Sequence, residues 1–202
     1  MIHLFEQPKK QGAPIFLLLH GTGGSEQDLI GLVQLFHPDA GYLSVRGAVT
    51  ENGMPRFFKR LAEGVFDEAD LALRTKELMA FIKEKSETYQ FSVQELIPVG
   101  YSNGANIAAN MMFEEALFAQ AILLHPMVPR RGIPLPNSEG VNVFIGAGAN
   151  DPICAASETE ELKALFEGAG AHVDVTWSNH GHQLVMPTIE SAASWLNNQL
   201  TQ

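Results

Sequence analysis

The chain has 202 residues, a formal net charge of −10, and 46% hydrophobic against 18% charged residues. That length predicts one domain over residues 1–202, large enough to bury a core of its own. The acidic balance argues against nucleic acid as a partner, because phosphate binding needs a concentrated positive face.

Elements follow in order along the chain. Met1 to Glu6 lacks a basic region followed by a long apolar stretch, so it does not read as a signal peptide. Ile15-Phe16-Leu17-Leu18-Leu19 reads as a buried strand between Pro14 and Gly21, and is far too short to span a bilayer. No membrane insertion is expected, and the cytosol is the expected location. Gln27 to Phe36 reads as a helix with Leu29, Leu32, Val33 and Phe36 on one face. Tyr42 to Val45 is a second strand, and Gly47 to Val65 reads as irregular. Asp67 to Tyr89 is a long helix, and Leu96 to Val99 a strand. Ala121 to Leu124 and Val141 to Ile145 are two more strands. Ser157-Glu158-Thr159-Glu160 has the form of a capping box opening a helix. Val173 to Trp177 is the last strand, and Ile189, Ala193, Leu196 and Leu200 mark a C-terminal helix. Apolar strands alternating with amphipathic helices predict an α/β fold with a mostly parallel sheet covered on both faces.

Gly100-Tyr101-Ser102-Asn103-Gly104 lies between the strand Leu96–Val99 and a helical run of small residues. Strand, sharp turn and helix around Gly-x-Ser-x-Gly make a nucleophile elbow, which exposes a serine hydroxyl at the end of a sheet. A plain glycine-rich turn is the ordinary alternative. Partners of such a serine should also follow strands, in the order acid and then histidine. Asp151 follows the strand Val141–Ile145, and its own alternative is an Asp-Pro turn residue. His180 and His182 both follow the strand Val173–Trp177. An imidazole takes the serine proton, and an acid holds the imidazole's tautomer and charge. No third ligand at metal spacing accompanies the two histidines, so no metal or other cofactor is expected. His125 also ends a strand but precedes the acid, which makes it pocket wall. An oxyanion hole is expected from the backbone N–H of Asn103 and from the loop His20-Gly21-Thr22-Gly23-Gly24, at Thr22.

These segments, with Gly148-Ala149-Asn150-Asp151-Pro152 and Gly181-His182, resemble the phospholipase/carboxylesterase family of compact α/β-hydrolases, which includes the acyl-protein thioesterases. Arg46-Gly47 and Met54-Pro55-Arg56-Phe57-Phe58 resemble a bacterial branch of carboxylesterases linked to hydroquinone resistance. The resemblance covers about Pro14 to Leu200. It implies Ser102 as nucleophile, Asp151 as acid, His182 as base, and Thr22 and Asn103 as oxyanion donors. Where the thioesterases have Gly-Phe-Ser-Gln-Gly and His-Gly-Leu-Gly-Asp, this chain has Asn103, Thr22 and Gly24 at the differing positions. Their protein-depalmitoylating or lysophospholipid specificity is therefore not expected. A homodimer is compatible with the resemblance.

No long insertion separates the strands at Ala121–Leu124 and Val141–Ile145, so no large lid domain is expected. His20, Gly21, Phe57, Phe58, His125 and Met127 are expected around the pocket. Arg46 and Arg56 are expected either to meet a substrate carboxylate or phosphate, or to anchor loops. The expected substrate is a small carboxylic ester or thioester. The alternatives are a non-catalytic binding protein on the same fold, or a hydrolase of lactones or C–C bonds in aromatic breakdown. Cys154 reads as a buried small residue.

Overall fold

The computed structural model describes residues 1–201. The run Ile15–Leu19 forms β2, whose five residues are all buried. Its side chains alternate between two cores: Ile15, Leu17 and Leu19 point to one, Phe16 and Leu18 to the other. A strand apolar on both faces belongs in the middle of a covered sheet, and β2 is there.

The sheet has seven strands: β1 (His3–Glu6), β2, β3 (Gly41–Val45), β8 (Leu96–Tyr101), β9 (Gln120–Leu124), β10 (Asn142–Gly148) and β11 (His172–Ser178). Their spatial order is β1-β3-β2-β8-β9-β10-β11. Only β1 runs antiparallel, along the outer edge of β3. Helices α2 (Glu68–Tyr89), α3 (Asn103–Glu114) and α4 (Ala156–Gly168) bury their apolar sides in the first core. Helices α1 (Ile30–Phe36) and α5 (Met186–Leu200) cover the second.

Several expectations shift in detail. The first helix begins at Ile30, three residues later than expected, because the residues before it form turns. The box at Ser157 is not formed. Helix α4 starts at Ala156 after Ala155, and Glu158 turns instead to the Val128 N–H and Arg131. A capping box does form at Ser92 and Glu95, on a short 3-10 turn before β8. On α5 the buried stripe is Ile189, Ala192, Trp195 and Leu196.

The segment expected to be irregular holds two hairpins. β4 (Val49–Glu51) pairs with β5 (Met54–Arg56), and β6 (Arg60–Ala62) with β7 (Val65–Phe66). The first turns on Asn52-Gly53, both at positive φ (50° and 79°), as a two-residue hairpin loop requires. The segment between β9 and β10 carries no helix or strand. No described helix is long and apolar enough to cross a membrane.

Candidate active site

The loops after four neighbouring parallel strands meet at one edge of the sheet. Backbone bonds tie their roots together: Ser102 N–H to the Leu124 carbonyl (2.8 Å), His125 N–H to the Gly146 carbonyl (2.7 Å), and Ala149 N–H to the Ser178 carbonyl (2.7 Å). Ser102 sits at φ 52°, ψ −113° between β8 and α3, a conformation that L residues rarely hold. The elbow exists because nothing crowds its flanks. A Cβ on Gly100 would lie 2.5 Å from the Gly104 carbonyl oxygen, and one on Gly104 would strike the Leu19 carbonyl.

His182 Nε2 lies 2.8 Å from Ser102 Oγ, and its Nδ1 lies 2.6 Å from Asp151 Oδ2. This is the order that lets a hydroxyl donate to an imidazole whose far nitrogen donates to a carboxylate. Burial pushes the Asp151 carboxyl upward. The Cys154 N–H, His182, the Ile153 N–H and His125 together outweigh it and hold the group below its ordinary range. Asp151 is thereby kept as the carboxylate that an imidazolium partner needs.

Three groups fix the loop carrying His182. Tyr101 Oη donates to the His182 carbonyl (2.5 Å). Asn150 accepts from Gly181 N–H (2.9 Å) and donates to the Asn179 carbonyl (3.1 Å). His125 Nε2 lies 3.1 Å from the Gln183 carbonyl.

Thr22 N–H and Asn103 N–H make no hydrogen bond among the described residues. The Asn103 amide is one of the donors left open at the start of α3. Both residues line the cavity above Ser102, of about 220 Å³, with Arg56, Arg60, Phe66, Tyr101, Asn106, Met127 and Ile153. A larger cleft of about 420 Å³ lies at the opposite edge, where Ile15, Ile97 and Gln120 begin or enter their strands. It is lined by no serine, cysteine or histidine.

Residues 4–194 match the family model described as the Dienelactone hydrolase family. The chain belongs to that family. It is 53% identical over 196 residues to a Bacillus subtilis (strain 168) protein named "Putative hydrolase MhqD", with 96% of this chain and 97% of that protein covered. Among solved structures it is similar to the Bacillus cereus carboxylesterase, at 53% identity and a TM-score of 0.95, covering 97% of this chain and 93% of the other. It is also similar to YahD, solved with malic acid, at 30% identity and a TM-score of 0.93, covering 98% of each chain. The fold is thus that of the α/β-hydrolases, and the chain is a hydrolase of the esterase type.

Of the two loop histidines, the structure brings His182 to Ser102 and leaves His180 exposed. Among the residues expected around the pocket, Arg56 and Met127 line the cavity. The others serve the walls from behind. Arg46 pairs with Glu26 through two bonds (2.5 and 2.8 Å) and lies outside the cavity, because the buried Glu26 carboxylate requires a cation. Phe57 packs on His20 (4.8 Å between rings), and Phe58 on Phe66 (5.1 Å). His20 accepts from Gly47 N–H at 3.0 Å, and Gly21 lies beneath the Tyr101 ring. His125 sits behind Asp151, not on the cavity wall. Cys154 is buried with its thiol 2.8 Å from the Pro126 carbonyl, and burial pushes that thiol up to about 12.

A stripe of asparagines on α3 escaped the reading of the sequence. Asn103 and Asn106 accept the N–H groups of Phe57 and Met127, each at 2.7 Å. Asn110 donates to Thr75 (2.7 Å) and accepts from Arg130 (2.8 Å). Spacings of three and four put them on one helix face, and buried amides need partners. That spacing on a buried helix was the available signal.

Proposed function

We propose that the protein hydrolyses small carboxylic esters or thioesters through an acyl-enzyme on Ser102. Ser102 Oγ attacks the carbonyl carbon as its proton passes to His182 Nε2. The negative charge that develops on the carbonyl oxygen is met by the N–H groups of Thr22 and Asn103. Collapse expels the alcohol or thiol, which takes the proton from His182. Water then repeats the sequence against the acyl group, with His182 again as base, and frees the acid. Asp151 stabilises the imidazolium in both halves. The observation that carries this reading is the pair of contacts on His182, 2.8 Å to Ser102 and 2.6 Å to Asp151.

The cavity volume of about 220 Å³ supports a short acyl chain, being smaller than the usual range for drug-sized ligands. Arg56 supports an acid-bearing substrate. Its side chain is only 4% exposed, its Nε donates to the Phe58 carbonyl and its Nη1 to Thr22 Oγ1, and Nη1 also lies 3.2 Å from Glu51 as an ion pair. Its Nη2 makes no hydrogen bond among the described residues and is not among the fully buried unpaired atoms, which leaves it for the cavity that Arg56 lines. The malic acid in the YahD structure is a small carboxylic acid of the corresponding class. The name of the matching family favours lactones as a second substrate class, and a lactone is a cyclic ester open to the same attack.

The test is turnover of p-nitrophenyl acetate, butyrate and octanoate beside a small lactone and a monoester of a dicarboxylic acid. Hydrolysis of the short substrates, abolished by Ser102→Ala, is expected. Undiminished turnover in that variant would remove Ser102 from the mechanism.

A further inference from the structure

Asp151 accepts from four groups. Its Oδ1 takes the N–H of Ile153 (2.8 Å) and of Cys154 (3.0 Å). Its Oδ2 lies 2.6 Å from His182 Nδ1 and 2.9 Å from His125 Nδ1. The acid therefore touches a second imidazole that serine hydrolysis does not require.

The His125 ring is gripped at both nitrogens. Its Nε2 faces the Gln183 carbonyl, which has no proton to give, so Nε2 carries one. Its Nδ1 faces a carboxylate that the backbone N–H groups hold ionised, so the contact at 2.9 Å also needs a proton. A neutral imidazole has only one N–H. The Asp151–His125 pair thus holds one proton more than a neutral ring beside a carboxylate. Burial lowers the pKa of the His125 ring despite its hydrogen bond to Asp151, which opposes a charge on the ring alone. It is the two facing acceptors that place the second proton, shared with the carboxylate along the Nδ1–Oδ2 contact.

The backbone at His125 points the same way. Its φ is 53°, which is uncommon for a residue other than glycine, and its N–H is pinned to the Gly146 carbonyl. That turn aims the ring between the Asp151 loop and the His182 loop. The ring is buried, so it does not touch substrate. The titratable groups facing it are Asp151, His182 (5.0 Å between rings) and Tyr101 (6.0 Å).

We propose that His125 is a positioning residue for the reaction, locking Asp151 Oδ2 and the Gln183 carbonyl together while its shared proton withholds part of the carboxylate's charge from His182. The proposal rests on the assignment of Ser102, His182 and Asp151 above. Losing His125 does two things. The loop and the acid become free to drift apart, which slows chemistry. The whole carboxylate charge falls on His182, which makes its imidazolium easier to form and the neutral base scarcer at low pH.

The test is His125→Asn, since asparagine tolerates positive φ. Its amide is neutral at every pH and donates to Asp151 without bridging to Gln183. On p-nitrophenyl acetate we expect kcat to fall about 10- to 100-fold with little change in KM, as for loss of a hydrogen bond to a charged group. We also expect the acid limb of the kcat/KM profile to move to higher pH by roughly half a unit or more. An unchanged rate, or a slower rate with the acid limb unmoved, overturns the proposal; the latter would make His125 merely structural. Nitrogen NMR of histidine-labelled wild-type protein gives a check that does not depend on the variant folding. Two proton-bearing ring nitrogens are expected on His125 at active pH, and a bare Nδ1 overturns the proposal. Full activity of Ser102→Ala would instead strike the underlying assignment, so the two failures are distinguishable.

Discussion

The floor and the roof of the cavity are built by different means. The floor is the edge of the parallel sheet, where Ser102, Asp151 and His182 leave β8, β10 and β11; β8 and β10 are buried almost throughout, and β11 is the partly exposed outer strand beside them. The roof is the pair of hairpins over residues 49–66. Much of it is exposed, and it is tied down by Glu51, which pairs with both Arg56 (3.2 Å) and Arg60 (2.9 Å). A close-packed floor fixes reacting groups to within tenths of an ångström, because displacement there disturbs the core. A roof held by a few ion pairs can vary its contacts without disturbing the chemistry below. Chemistry should therefore belong to the floor and selectivity to the roof.

Substitutions can break that division, and the largest effects should come from the floor. Asp151→Asn should lower kcat by about 10⁴-fold with a small effect on KM, since the amide cannot stabilise an imidazolium. A loss below tenfold would show that the acid is dispensable. Gly104→Ala should damage folding as well as activity, because the new methyl strikes the Leu19 carbonyl in the most buried strand. A melting-temperature drop equivalent to about 3 kcal/mol or more is expected. Wild-type stability in that variant would show that the elbow has slack.

The roof should behave differently. Arg56→Lys should raise KM for a monoester of a dicarboxylic acid by about 10- to 100-fold and leave neutral esters nearly unchanged, because the free Nη2 donor, held in place by the rest of the guanidinium, is lost. Equal losses on both substrates would make Arg56 a support for Thr22 rather than a substrate contact. The smallest effect on turnover should come from Arg46→Ala, which lies outside the cavity. That variant should cost stability instead at neutral pH, by stranding the Glu26 carboxylate without its cation. The hydrogen bond from Arg46 holds the Glu26 carboxyl below its ordinary range despite burial. Its contribution is present above the ordinary carboxylate pKa and is lost as pH falls through the lowered folded value. The stability gap between wild type and variant should accordingly narrow in acid, as thermal melts across pH would register.

The same division explains what could be read from the sequence. The floor was legible because β2 is apolar on both faces, and because Gly-x-Ser-x-Gly, Asp151 and His182 each follow a strand in a fixed order. The roof was legible only in part. Asn52-Gly53 is a strong hairpin signal, but short flanking strands with little apolar alternation hid it. Arg46 and Arg56 look alike in the chain. Their roles diverge through Glu26 and Glu51, whose positions only the folded chain determines. His125 was misplaced as pocket wall because chain order describes the base, and a second imidazole on the acid has no order rule.

The division of labour between floor and roof stands on Ser102 being a nucleophile activated by His182. A fluorophosphonate probe with peptide mapping by mass spectrometry tests it most directly. One adduct per chain is expected, on Ser102, absent from denatured protein and slowed by at least about 10³-fold in His182→Ala. An adduct on another residue, or equal labelling with and without His182, would contradict it.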